Sequence, residues 1–260
     1  MSDHQWNVAA YEAFRDLRLR PALDLLARVP LLGEGDIVDL GCGAGAVGPA
    51  LRRRFPDRRL VGVDASSGML AKASAAGCYD EIIEADIAEW SANGPAALIF
   101  SNAALHWLPD HETLIPRLFG MLASGGALAV QMPGQLARPS HETMIAAAAA
   151  IRPDLFEAWT PFPGPLPEAR YADLLPDATV DIWTSEYHQR LDPAKDGGHP
   201  VRAFVSSTGA RPILAKLDAE ETARFHAMWD EALDDAYPRR PDGGAWFPFR
   251  RVFFAAQRGG

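Results

Sequence analysis

Five short, largely apolar runs punctuate the first half of the chain: Asp36 to Leu40, Leu60 to Val63, Glu81 to Glu84, Ala97 to Ser101 and Ala127 to Met132. Segments with helical spacing lie between them, and a helical stretch from Ala9 to Val29 precedes them. Strands that are apolar on both faces and alternate with helices describe a parallel sheet covered on both sides. The pattern therefore predicts a doubly wound α/β unit.

From Pro133 the pattern changes. Ser140 to Ile151 is alanine-rich and helical, Pro161 to Pro167 is a proline-stiffened loop, and Thr179 to Gln189 returns as a strand. A second irregular stretch runs from Leu191 to Pro200. Asp218, with Glu221 three residues on, predicts a capping box and a helix to about Tyr237. The loop Pro238 to Pro248 then leads into a last strand, Arg251 to Gln257. These elements read as one domain over 1–260, with a core of 30–132, 178–189 and 250–258. Two insertions, 133–177 and 190–247, are long enough to cap the carboxyl ends of the strands.

The first run carries the most informative chemistry. Ile37-Val38-Asp39-Leu40-Gly41-Cys42-Gly43-Ala44-Gly45 reads as a buried strand ending in an acid and a glycine turn, and Val61-Gly62-Val63-Asp64 as the next strand with a carboxylate at its tip. Glycines let the backbone approach a ligand closely, and a carboxylate at that tip can accept both hydroxyls of a ribose. Two registers compete. Gly43 to Gly48 satisfies G-x-G-x-x-G, the dinucleotide pattern expected of an NAD-dependent oxidoreductase, but it leaves Asp39 buried inside the strand, at a cost of several kcal/mol if unpaired. With Gly41, Gly43 and Gly45 as the turn, Asp39 sits at the strand's mouth, where it can answer a cationic ligand such as S-adenosylmethionine. This register is preferred.

Charge narrows the partners. A formal net charge of −9 opposes binding to a polyanion. The basic cluster Arg52-Arg53-Arg54 with Arg58-Arg59 falls at a predicted helix end, where cations complement the macrodipole. No apolar stretch is long enough to span a membrane, and the N-terminal residues do not resemble a signal peptide. Cys42 and Cys78 make neither a disulfide framework nor a metal site. A cytoplasmic protein acting on a small molecule is expected, with no nucleic acid or membrane as partner.

Several motifs sharpen this. Asp39-Leu40-Gly41-Cys42-Gly43, Glu84-Ala85-Asp86-Ile87, Trp107-Leu108-Pro109-Asp110-His111, Gln131-Met132-Pro133, Val180-Asp181-Ile182-Trp183, Thr208-Gly209 and Arg211-Pro212 resemble the class I S-adenosylmethionine-dependent methyltransferases, and within them the trans-aconitate methyltransferases. The resemblance implies a Rossmann-like α/β fold: a mostly parallel seven-stranded sheet, helices on both faces and a helical cap. It implies S-adenosylmethionine as cofactor, with Gly41 and Gly43 at its methionine part, Asp64 on the ribose, and Asp86 on the adenine amino group between Ala85 and Ile87. Asn102 would line the methionine side, and Tyr11 and Arg20 would close over the cofactor and meet its carboxylate. Two departures stand out. Ala44-Gly45-Ala46 replaces the family's Pro-Gly-Asn, and Gly134-Gln135 replaces Asp-Asn where the substrate should sit.

The implied reaction esterifies a carboxylate of trans-aconitate or a related di- or tricarboxylate. Such an acceptor is ionised at neutral pH, with a pKa near ~4, so no catalytic base is required and positioning is the task. Charge is partly neutralised in the transition state, so an arginine on the attacking oxygen would favour the reactants. Arginines should instead clamp the carboxylates that do not react, and Arg211 and Arg251 are the candidates. His106, Trp107, Gln131 and Trp183 are expected to wall the pocket. His106 becomes a base only if the acceptor is a phenol or alcohol.

Overall fold

The computed structural model describes residues 15–260. Seven strands form one sheet in the order β3-β2-β1-β4-β5-β7-β6. They are β1 (Asp36–Leu40), β2 (Leu60–Asp64), β3 (Glu81–Glu84), β4 (Ala96–Asn102), β5 (Leu122–Pro133), β6 (Ala178–Leu191) and β7 (Ala245–Arg258). The first five run parallel, and β7 is antiparallel to both of its neighbours. The chain winds outward from β1 to β3, then crosses back to β4 on the other side of β1. The crevice at the carboxyl ends of β1 and β4 is therefore the topological switch point, where open α/β sheets bind ligands.

The central strands are buried on both faces because alternate residues enter different cores. Val38, Leu40, Ile99, Val130 and Met132 pack on one side with Leu114 and Leu118 of the helix His111–Gly120. Ile37, Leu98, Phe100 and Ala129 pack on the other with Leu25 of α1 (Arg15–Ala27) and Leu51 of α2 (Gly48–Arg54). Arg52, Arg53 and Arg54 occupy the last turn of α2, as the macrodipole argument anticipates. No helix among the described residues is long and apolar enough to cross a membrane.

A third core lies beyond the sheet. Met144 and Ala148 of the helix Pro139–Ile151, Phe204 of Pro200–Ser206, and Phe225 and Trp229 of Ala219–Ala236 enclose Phe247 and Phe249. The last of these helices starts with the anticipated capping box: Asp218 accepts from the Glu221 N–H at 2.8 Å, and Glu221 accepts from the Asp218 N–H at 3.0 Å.

The last strand is longer than the sequence pattern predicts, beginning at Ala245 rather than after Pro248. Beyond the Pro133–Arg251 pair, β7 has lost β5 as a neighbour and continues as a two-stranded ribbon with β6, out to Leu191 and Ala245. Arg250 turns its N–H and C=O to the vacated side, toward Gln135 and Gly134. Pro248, two residues earlier, faces the same way, so its missing N–H removes no ladder bond. That is why a proline sits inside this strand.

Candidate active site

The glycine turn follows the preferred register. Strand β1 ends at Leu40, and Gly41, Gly43 and Gly45 all have positive φ (79°, 53° and 79°). A Cβ at Gly41 would collide with Ala104, whereas one at Gly43 would meet nothing within 4 Å, so Gly43 faces open space. Gly48, which completes the rival dinucleotide pattern, has another use: its missing Cβ makes room for Cys78 and the Tyr79 ring.

Asp39 is not at the strand's mouth. It lies inside β1 with 1 % of its surface exposed, and Tyr79 Oη donates to its Oδ2 at 2.7 Å. Burial pushes its carboxyl up to about 7, the neighbouring Asp64 charge adds to this, and the Tyr79 hydrogen bond opposes it. The penalty for an enclosed carboxylate is thus only partly offset by a tyrosine hydroxyl, and the turn forms without exposing the acid.

Asp64 ends β2, and its two oxygens accept from the N–H groups of Gly43 and Ser66, both at 2.9 Å. It ties the turn to the second strand and retains further lone pairs for a ligand's hydroxyls. Ala85 and Asp86 follow β3, and Asp86 Oδ1 accepts from the Ala88 N–H at 3.0 Å. The Ile87 side chain reaches beneath Gly41, 3.4 Å from where a Cβ would stand. Asn102 closes β4 with its Oδ1 buried and without a hydrogen-bond partner among the described residues. Ala103, next in sequence, holds a left-handed φ of 54°. These residues fit S-adenosylmethionine: Gly43 is open, Asp64 has lone pairs to spare and Asn102 Oδ1 has no partner among the described residues, all at the carboxyl ends of adjacent strands, where the switch-point crevice lies.

Beside this crevice is a cavity of about 90 Å³. Asn102, His106 and Trp107 line it from the β4 end and Arg251 from β7, while His141 comes from the helix Pro139–Ile151 and Phe162 from the loop Pro161 to Pro167. Among the described residues its lining contains an arginine and no carboxylate. The Arg251 guanidinium lies 4.2 Å over the Phe249 ring, with 3 % of the residue exposed. Burial drives the His106 imidazole down to about 3, and the charges of Arg251, His111 and His141 push in the same direction. His106, Trp107 and Phe162 form a mutually packed aromatic group.

Other candidates lie elsewhere. Trp183 stacks on Phe253 at 4.9 Å beneath the Arg28 guanidinium, farther along the sheet face that carries Arg251, and does not line the cavity. Arg20 is exposed and lies 5.1 Å over the Tyr187 ring of β6, four strands from β1 in the sheet order, so the structure does not bring it to the glycine turn. Gln131 is fully buried on β5 as the register partner of Asn102, without lining the cavity, and neither side-chain amide atom has a partner among the described residues. Arg211 is half-buried in the short helix Arg211–Leu214; the preceding Thr208 and Gly209 line the cavity and Arg211 does not. Tyr11 lies outside the described residues.

Gly134 and Gln135 are not in the cavity wall either. Gly134 packs against Arg250 and Val252, and the fully buried Gln135 bridges the Arg250 N–H to Ser140. The sequence reading missed His141, Phe162, Thr208, Gly209 and Phe249 as cavity residues. Thr208-Gly209 carried a signal as one of the family-like motifs, and Phe162 stood in a proline-stiffened loop; His141 carried none.

The family model described as a methyltransferase domain matches residues 37–126. The trans-aconitate 2-methyltransferase of Methylobacterium radiotolerans is 43 % identical to this chain, covering 97 % of it and 98 % of the relative. That of Paracidovorax citrulli is 42 % identical, covering 98 % and 99 %. Among solved structures, the YcgJ protein of Bacillus subtilis superposes with a TM-score of 0.61 at 14 % identity, covering 93 % of this chain and 99 % of that one. Phosphoethanolamine N-methyltransferase 2 of Haemonchus contortus, in complex with S-adenosyl-L-methionine, gives 0.53 at 17 % identity, covering 93 % of this chain and 53 % of that one. At those identities the structural matches speak for the fold alone.

Proposed function

The chain belongs to the trans-aconitate 2-methyltransferase family of S-adenosylmethionine-dependent methyltransferases, and on that premise we propose that it esterifies a carboxylate of trans-aconitate or a closely related di- or tricarboxylate. One observation carries the substrate class: a chain of net charge −9 builds, at the switch point of its sheet, a cavity whose described lining has an arginine and no acidic residue. Such a lining suits an anion.

S-adenosylmethionine, when bound, supplies the methyl group and the sulfonium that activates it. Gly43 admits it to the backbone, Asp64 accepts its ribose hydroxyls, and Ala85, Asp86 and Ile87 border its base. Asn102 lies between this crevice and the cavity. The protein's remaining work is to orient the acceptor and exclude water, which can supply about 7–11 kcal/mol of the barrier. Arg251 holds a carboxylate that does not react, because a cation on the attacking oxygen would favour the reactants over the transition state. His106 is too weak a base to abstract a proton from a hydroxyl at neutral pH, which favours the carboxylate over the phenol or alcohol reading. The core and its two capping insertions act as one unit, with the cap closing the cavity over the strand ends.

The decisive experiment is incubation with labelled S-adenosylmethionine and a panel of di- and tricarboxylates, phenols and alcohols, followed by identification of the labelled product. A labelled methyl ester supports the reading, and a labelled ether sinks it.

A further inference from the structure

The cap side of the cavity holds a histidine whose tautomer is decided by its neighbours. We infer that His141 presents a fixed Nε2–H to a carboxylate oxygen of the acceptor, making it a specificity-determining residue; the inference rests on the carboxylate reading above.

The hydrogen-bond chain that fixes this tautomer starts from a group that can only donate. The backbone N–H of Arg250 donates to Gln135 Oε1 at 2.9 Å, which orients the buried amide and sends its Nε2 toward Ser140, whose Oγ accepts at 3.3 Å. Ser140 Oγ lies 3.1 Å from His141 Nδ1. With one acceptor site of the hydroxyl taken by Gln135, its proton is directed at Nδ1, which must accept. The ring proton then resides on Nε2. The opposite tautomer would aim two donors at Ser140 Oγ and leave its hydroxyl proton without an acceptor among the described residues. Ser140 is itself held, since its N–H donates to Tyr237 Oη at 3.2 Å.

The other ring nitrogen faces a wall with no side chain. A Cβ at Gly209 would stand 3.1 Å from His141 Nε2, so glycine there keeps the approach to the donor clear. Both residues line the cavity, and the Phe162 ring meets the imidazole edge-on at 5.8 Å. Burial holds the imidazole down at about 4, so this donor is neutral at neutral pH. A neutral donor adds direction to Arg251's charge without fixing more negative charge in the ground state. Gln135, outside the cavity, thus acts on the substrate through Ser140 and His141 as a positioning residue.

The test combines a tautomer measurement with kinetics. Long-range ¹H–¹⁵N spectra of histidine-labelled enzyme with S-adenosylhomocysteine should show His141 as the Nε2–H form, and trans-aconitate should shift that nitrogen. Ser140→Ala should populate both tautomers and raise KM for trans-aconitate roughly ten-fold, the size of one lost hydrogen bond, with KM for S-adenosylmethionine unchanged. His141→Gln, which keeps an N–H near the Nε2 position, should retain more affinity than His141→Phe. An Nδ1–H tautomer in the parent overturns the inference whatever the enzyme methylates. So does a parallel rise of both KM values in Ser140→Ala, or unchanged kinetics in His141→Phe. If the tautomer is as derived but no carboxylate is methylated, the functional reading fails and takes the carboxylate partner of His141 with it.

Discussion

Tyr79 Oη donates to Asp39 Oδ2 at 2.7 Å beneath the glycine turn, and the ring that carries the hydroxyl fits because Gly45, Gly48 and Gly62 have no side chains to obstruct it. Part of the glycine pattern therefore exists for a tyrosine rather than for a ligand. The tyrosine in turn makes the enclosed acid tolerable.

That acid sets a pH dependence of stability. Asp39 titrates at about 7 when folded, far above an unfolded aspartate, so between about 4 and 7 the unfolded chain has released a proton that the native protein keeps. Stability from this group is full below that window and is lost as pH rises through it, by on the order of a few kcal/mol. Asp39→Asn should remove this slope, so that denaturant midpoints of parent and variant diverge in the variant's favour from pH 5 to pH 8. Parallel pH profiles would show that Asp39 is ionised throughout.

Asp64 links the turn to the cofactor. Asp64→Ala removes the acceptor of the Gly43 and Ser66 N–H groups along with the proposed ribose contact. Affinity for S-adenosylhomocysteine should fall by about 1.5–3 kcal/mol, the scale of a hydrogen bond to a charged group. Calorimetry that finds it unchanged removes the assignment.

Arg251→Ala should chiefly raise KM for a tricarboxylate, by the equivalent of about 2–5 kcal/mol for a buried pair, with kcat less affected. Arg251→Lys should not restore it, because an ammonium cannot match a carboxylate in bidentate fashion. An analogue lacking one spectator carboxylate should be a poor substrate for the parent and little worsened by the change. Equal losses for both compounds would assign Arg251 to the fold.

His106 titrates at about 3, so it stays neutral across the working range. Methylation of a carboxylate should show no inflection near pH 6.5 from this residue, and His106→Ala should retain the rate apart from packing losses. Stability should behave oppositely to the Asp39 case: the unfolded histidine takes up a proton below about 6.5 while the native one does not, so this contribution is lost as pH falls toward about 3. A collapse of kcat in His106→Ala with substrate binding intact would restore the hydroxyl acceptor.

The sheet was legible because strands buried on both faces leave continuous apolar runs, and the boundaries of β1 and β3 match the sequence reading residue for residue. The glycine turn was legible because a positive φ leaves little choice but glycine. What could not be read depended on partners far away in sequence. Asp39 looks costly inside a strand until Tyr79 is known to reach it. Pro248 looks like a loop residue until the strand beside it is known to have ended. Trp183 looks like a pocket wall until Phe253 and Arg28 are found to enclose it. His141 has no local pattern because its orientation is set by Gln135, Ser140 and a backbone N–H from the last strand.

Strand β7 carries Phe249, Arg251 and Phe253 at alternate positions, the first in the core beyond the sheet, the second at the cavity and the third in the core of the sheet. An extended strand hardly stretches, so these three side chains keep a fixed spacing of two residues each, roughly 7 Å per step. The ribbon therefore works as a ruler that fixes the spacing between the core beyond the sheet, the arginine and the core of the sheet. Lengthening the loops between the outer helices leaves that ruler intact, whereas inserting one residue in β7 between Phe249 and Phe253 turns the side chains on one side of the insertion to the opposite face. The distance of the arginine from either core is set by a strand register, and so changes in steps rather than by degrees.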